Sequence, residues 1–150
     1  MSKTGYPVWW DTTITIYNKY IDAQTQIVRW YRTVVTDCFW NLDGSTVKVG
    51  DVTLNSKSII CRIPKDIRFL EKRDWLNTPN DEMNSYFTLG QGDIIVKGEV
   101  NDVIDEYTSG YRSTDLLNKY KGYQECMEVN DYAINTGTGR NNEHYLARGN

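Results

Sequence analysis

The side chains best suited to chemistry are few, and they are scattered along the chain. His144 is the only histidine, and a serine or cysteine nucleophile ordinarily needs a histidine base. It sits beside Tyr145 in a predicted last strand, and nothing in the sequence positions a nucleophile or an acid for it. A satisfied strand histidine is the reading the pattern favours. Asp102, Asp105 and Glu106 form an acidic cluster that could hold a hard cation or supply an acid/base pair. They lack the alternating spacing and glycine of a calcium loop, so a solvated turn ahead of a helix is the better reading. Gly137–Arg140 has the glycine content of a phosphate loop but no following Lys-Ser/Thr, and it leads into a strand rather than a helix. It reads as a hairpin turn. Arg29, Arg32, Lys48 and Lys57, with Trp30 and Tyr31 between them, could make a stacking strip for single strands. Asp37, Asp43 and Asp51 lie close by in sequence, so ordinary sheet-surface charge fits better. Cys38, Cys61 and Cys126 are odd in number and form no CxxC pair, which predicts buried thiols and no zinc site. No catalytic residue, cofactor site or metal site is predicted.

The elements that must carry these residues are mostly strands. Thr13 to Tyr17 alternate with period 2, placing Ile14 and Ile16 on one face. The polar stretch 22–26 suits a hairpin loop. Trp30, Arg32, Val34, Thr36, Cys38 and Trp40 then share one face, and Tyr31, Thr33, Val35, Asp37 and Phe39 share the other. Both faces are mixed, which predicts a long, bent strand that changes the side it buries. Residues 42–57 read as a polar excursion holding a small hairpin, with turn signals at 43–44 and 50–51. A strand over 58–63 follows, with Ile59, Cys61 and Ile63 on one face, and Pro64 ends it.

Residues 65–92 are long for a structureless connection. Their Ile67, Phe69, Leu70, Trp75 and Leu76 predict an ordered excursion with a short helix or turn. A strand is expected over 93–100 and a short helix over 114–120. That helix would be capped by Ser113 or Thr114, favoured by Asp115 at one end and by Lys119 and Lys121 at the other, and closed by Gly122. Strands over 126–135 and 143–148 complete a C-terminal hairpin. The fold expected is mainly β: a small β-barrel or sandwich with long loops and one short helix. Residues 1–11 form an N-terminal arm anchored by Trp9 and Trp10, and 12–150 form a single β-barrel-like domain. The predicted core holds Ile14, Ile16, Val34, Cys38, Ile59, Cys61, Ile63, Ile95, Leu116, Leu117, Val129 and Ile134.

Composition narrows the function classes. The 150 residues suit one domain with a sizeable core. Seventeen basic residues against twenty acidic ones give a net charge of −3, with no basic block. Direct DNA binding is therefore disfavoured. No apolar run is long enough to span a bilayer, and the first residues lack an apolar signal core, so no membrane partner is expected and a reducing cytoplasm is the expected site of synthesis. Eleven Tyr and five Trp against three Phe favour amphipathic rings, which suit half-buried sheets and protein interfaces.

The segments ITIYNKY, RWYRTVV-x-x-CFW and SIICRIP, in that order, resemble the N-terminal half of small structural proteins of tailed bacteriophages. GDIIVKGEVNDVIDE, STDLLNKYKG and MEVNDYAINTGTGRNNEHYLARG resemble their second half. The resemblance is to the head–tail connector family of stopper or head-completion type. It implies a virion protein, assembled in the host cytoplasm, that forms a homo-oligomeric ring in the neck. Such a ring would meet a portal or adaptor ring above and a tail-side ring below, close to packaged DNA. Within the same class, a tail terminator or a baseplate component is the alternative. From a different class, a small phage-encoded hydrolase using the acidic cluster is the competitor.

A structural role predicts loops, rather than a pocket, as the working parts. Residues 41–57 and 65–92 are the long excursions, and Trp9, Trp10, Phe69 and Trp75 are the candidate partner contacts. For Phe69 and Trp75 the competing reading is that each only pins its loop to its own barrel.

Overall fold

Alternating strands that cannot bury their apolar faces alone must close on each other or pack in layers. Here they close. The computed structural model describes residues 6–121, 125–136 and 143–150, with backbone alone at 43–49 and 53–57. β1 (Thr12–Ile21) pairs with β2 (Val28–Val49), and β2 pairs with β3 (Val52–Pro64). β3 pairs with β6 (His144–Gly149), β6 with β5 (Cys126–Asn135), β5 with β4 (Ile94–Lys97), and β4 returns to β1. Every pairing is antiparallel, and the sheet is a closed six-stranded barrel. Of the two expected arrangements, the barrel is the one adopted.

The barrel interior is filled by Ile14 and Ile16 from β1, Val35 and Cys38 from β2, and Ile59, Cys61 and Ile63 from β3. Ile95, Met127, Val129, Tyr145 and Ala147 come from the remaining strands. β4 is a continuous apolar run because both of its faces are covered. Ile95 points inward, while Ile94 and Val96 pack outside with Tyr17, Ile104, Leu116 and Cys126. That outer layer is α2 (Ser113–Lys121), close to the predicted 114–120. Its start differs from the expected hydroxyl cap. The Asp115 carboxylate reaches back to accept the Arg112 backbone N–H at 2.9 Å, half of a capping box.

β2 changes the face it buries, as its mixed pattern predicts. Tyr31, Thr33 and Val35 are buried, and then Cys38 is. The change of phase sits at Asp37, whose φ of 61° is left-handed. The partner register steps there from Ile14↔Val35 to Thr12↔Cys38. This is a bulge: one extra residue bends the strand and turns the next side chains over. It explains why Val34, expected in the core, is only half-buried while Val35 is enclosed.

Two boundaries and two core residues differ from expectation. The chain does not turn at 43–44: β2 runs on to Val49, and the hairpin turns at Gly50 and Asp51, the second predicted signal. β4 stops at Lys97 because Gly98 adopts a φ of 95°. Leu117 and Ile134 pack against the core but stay half-buried. The predicted turn at 137–140 and the closing Gly122 lie outside the described residues.

Residues 65–92 form a plug. They contain α1 (Lys72–Leu76) and a 3-10 turn at Met83–Ser85. Trp75 and Met83 lie fully buried against Tyr20 and Tyr31, near the β1–β2 hairpin. Phe87 and Leu89 continue into the central core. Asn18, buried on β1, holds this segment as a second strand would. Its Nδ2 donates to the Thr88 carbonyl at 2.7 Å, and its Oδ1 accepts the Thr88 N–H at 3.2 Å.

Candidate interaction surface

The chemistry-bearing side chains come out of folding separately occupied. Asp102 accepts hydrogen bonds from the Tyr111 hydroxyl (2.7 Å), the Tyr120 hydroxyl (2.7 Å) and the Lys119 ammonium (2.9 Å). Its backbone carbonyl accepts from the Tyr17 hydroxyl at 2.6 Å. Burial pushes the Asp102 carboxyl up, but the three donors outweigh it and hold the acid at about 2. Asp105 instead accepts the N–H groups of Tyr107 and Thr108 in its own turn, and Glu106 accepts the Ser113 N–H. The three carboxylates thus serve three local tasks. They fasten α2 and its approach to the outside of the barrel. Among the described residues, no group of three or more His, Cys, Asp or Glu could hold a metal ion.

His144 lies at the other end of β6, with its Nε2 at 3.2 Å from the Asn135 amide and its ring edge-on to Trp10. All three cysteines are buried and unbridged. Burial pushes the Cys126 thiol up to about 12, so it stays protonated and unreactive at neutral pH. Arg32 of the possible stacking strip donates to the Val100 carbonyl, and Tyr31 is buried. Those two are taken up by structural tasks, while the side chains of Lys48 and Lys57 lie outside the described residues.

One acid was not singled out in the sequence. Asp93 is fully buried under the plug. It accepts from the Asn18 amide (2.9 Å) and the Lys19 backbone N–H (2.9 Å), with the Lys72 ammonium at 4.0 Å. Burial raises its pKa above the ordinary carboxylate value, against the pull of Lys72 and these donors. Lys72 also donates to the Lys19 carbonyl and lies 4.9 Å from the Trp75 ring centre. The network locks the plug across the end of β1. Its members are bonded to one another, which leaves it a structural lock.

Of the four candidate contact rings, three are turned into the protein's own packing. Trp75 has no exposed surface, so it offers nothing to a partner. Phe69 stacks on Tyr145 with ring centres 3.8 Å apart and meets Phe87 edge-on. Trp10 is buried among Tyr6, Phe39 and His144. It anchors the N-terminal arm, together with a hydrogen bond from the Tyr6 hydroxyl to the Glu143 carbonyl. Trp9 is the exposed one, at 65%. It does not share Trp10's anchoring role, because it sits at the tip of a turn closed by the Trp10 N–H donating to the Pro7 carbonyl at 3.0 Å.

The surface that remains available is made by backbone. β2 pairs with β1 only as far as Cys38, and β3 pairs with β6 only from Ile59 onward. Between those limits, among the described residues, the two strands pair only with each other, through seven residue pairs from Asp43↔Ser58 to Val49↔Val52. At about 3.3 Å per residue this arm is roughly 20 Å long. Its backbone register closes the hairpin with Val49 opposite Val52. Val52 is 58% exposed, and Gly50 and Asp51 form an exposed tip. The sequence carried this signal as the alternation VKV-GD-VTL. The glycines and hydroxyl residues around it are also loop residues, which gives the stretch the composition of a polar excursion around a small hairpin.

Residues 9–150 match the family of unknown function DUF6751, and the chain belongs to that family. No curated protein and no solved structure matches it.

Proposed function

We propose that this protein is a ring subunit of a tailed-bacteriophage neck, of the stopper or head-completion kind. The ring would join a portal or adaptor ring on the head side to a tail-side ring. The observation that carries the reading is a closed, internally plugged barrel from which a two-stranded arm extends, neither outer edge pairing with any described residue. A two-stranded hairpin is marginally stable by itself in water, and open strand edges invite pairing with another chain. A subunit that must meet unlike neighbours at its sides, above and below gains from such an arm on a body that does not deform. The competing hydrolase reading rests on the acidic cluster, and its members are engaged in three separate sets of local hydrogen bonds.

The test is genetic and visual. A nonsense mutation in this gene, in the phage that carries it, should give DNA-filled heads that lack tails or leak DNA under the electron microscope. Supplying the protein from a plasmid should restore tailed particles. Normal tailed virions from the mutant would remove the protein from the neck.

A further inference from the structure

The barrel carries a second open edge, placed to receive an arm. β5 pairs with β6 from Asp131 to Asn135 on one side, but with β4 only through Cys126, Met127 and Glu128 on the other. Past Val129, which exchanges backbone hydrogen bonds with Gly92 and Asp93, no described residue pairs with the β4 side of β5. That edge borders an open groove of about 720 Å³ whose opposite wall is α1. Tyr132, Ile134 and Leu76 supply apolar surface there, and Arg73 and Asn77 are exposed beside it. Tyr132 and Leu76 are 40% and 44% exposed. A groove with an unpaired strand on one wall and apolar side chains along it is the form of site that accepts an added β-strand.

We infer that the arm of one copy of this chain adds as a strand to the β5 edge of the next copy. The donor fits the acceptor in kind. Along 52–57 the arm pairs with β2 on one side and with no described residue on the other, and Val52 near its tip is exposed. Asp51 at its tip has the charge sign opposite to Arg73 on the groove rim. The donor must be a second molecule. The arm leaves the barrel past Ile59, level with Gly149, whereas the open stretch of β5 runs on to Asn135, level with His144 and Pro64 at the opposite end. A chain's own arm therefore points away from its own groove. Arm and groove are different patches, so the contact is head-to-tail and closes into a ring when the rotation per copy allows. This inference rests on the ring reading above, and it names the lateral contact of that ring.

Two measurements test it together on the full chain. The first is native mass spectrometry over a concentration series, comparing the wild type with a variant whose residues 46–55 are replaced by a short Gly-Asp turn. The second is cross-linking with a short bismaleimide after mixing Val52→Cys with Tyr132→Cys; the three native cysteines are buried and stay silent. The expected result is a ladder of wild-type oligomers, self-association weakened more than about tenfold by shortening the arm, and an adduct that needs both cysteines. A cooperative melt of the shortened variant shows that it is folded. Oligomers that persist undiminished without the arm, or that form with no Val52–Tyr132 adduct, overturn the strand-addition contact and leave the ring standing. A wild-type chain that remains monomeric at every concentration overturns the ring and this contact with it.

Discussion

Asp102 shows how one side chain can look catalytic in sequence and serve as a fastener in the fold. Three donors from α2 and its approach converge on it, and only 11% of its side-chain surface is exposed. Its folded pKa is held at about 2, below the ordinary 3.8. A depressed carboxylate stabilises the fold fully above the unfolded value and loses that contribution as pH falls through the folded one. Asp102→Asn should therefore cost roughly 1–3 kcal/mol in urea unfolding at pH 7. The gap to the wild type should close as pH is lowered from about 4 to about 2. A gap that is the same at both ends of that window would show that the charge is not what holds α2.

At the scale of elements, two features decide whether the barrel closes. Gly149 ends β6 opposite the bulge in β5 between Val129 and Asp131. A Cβ there would collide with the Glu128 carbonyl, a backbone atom with no freedom to retreat. Gly149→Ala should therefore cost roughly 1–3 kcal/mol as the β5–β6 pairing shifts, read from the chemical denaturation midpoint; an unchanged midpoint would mean that the C-terminal residues contribute nothing to closure. The plug is the second feature. Trp75 belongs to a five-residue helix within a long connection, yet it has no exposed surface and meets Tyr20 and Tyr31 edge-on. Trp75→Ala should destabilise by roughly 3–5 kcal/mol, as a core aromatic does. A loss under about 1 kcal/mol, typical of a surface site, would contradict the plug.

Over the whole molecule, the two long excursions separate into different roles. Deleting part of 65–92 removes Phe87, Leu89, Met83 or Trp75 from the interior and should leave an insoluble or unfolded chain. Shortening 46–55 removes only strands that pair with each other. Its melting temperature should stay within about 2 °C of the wild type, while assembly is lost. Differential scanning calorimetry of both variants separates the roles. A shortened arm that collapses the melt would make the arm part of the fold rather than a contact element.

The sequence by itself determined the strand content, the period-2 faces of β1 and β3, the change of face in β2, the place of α2 and the burial of the cysteines. Each of these follows from neighbours a few residues apart, through alternation, turn residues and helix-end charge. Only the tertiary structure decided that the sheet closes, because closure depends on β4 meeting β1 across more than seventy residues. It also decided that Asn18 and Asp93 lock the plug, that Trp75 faces inward, and that the hairpin expected within 42–57 is a continuous extension of β2 and β3. Polar residues such as Asn18 and Asp93 carry no local mark of burial. Their partners, Thr88 and Lys72, come from distant parts of the chain, and only the fold brings them together.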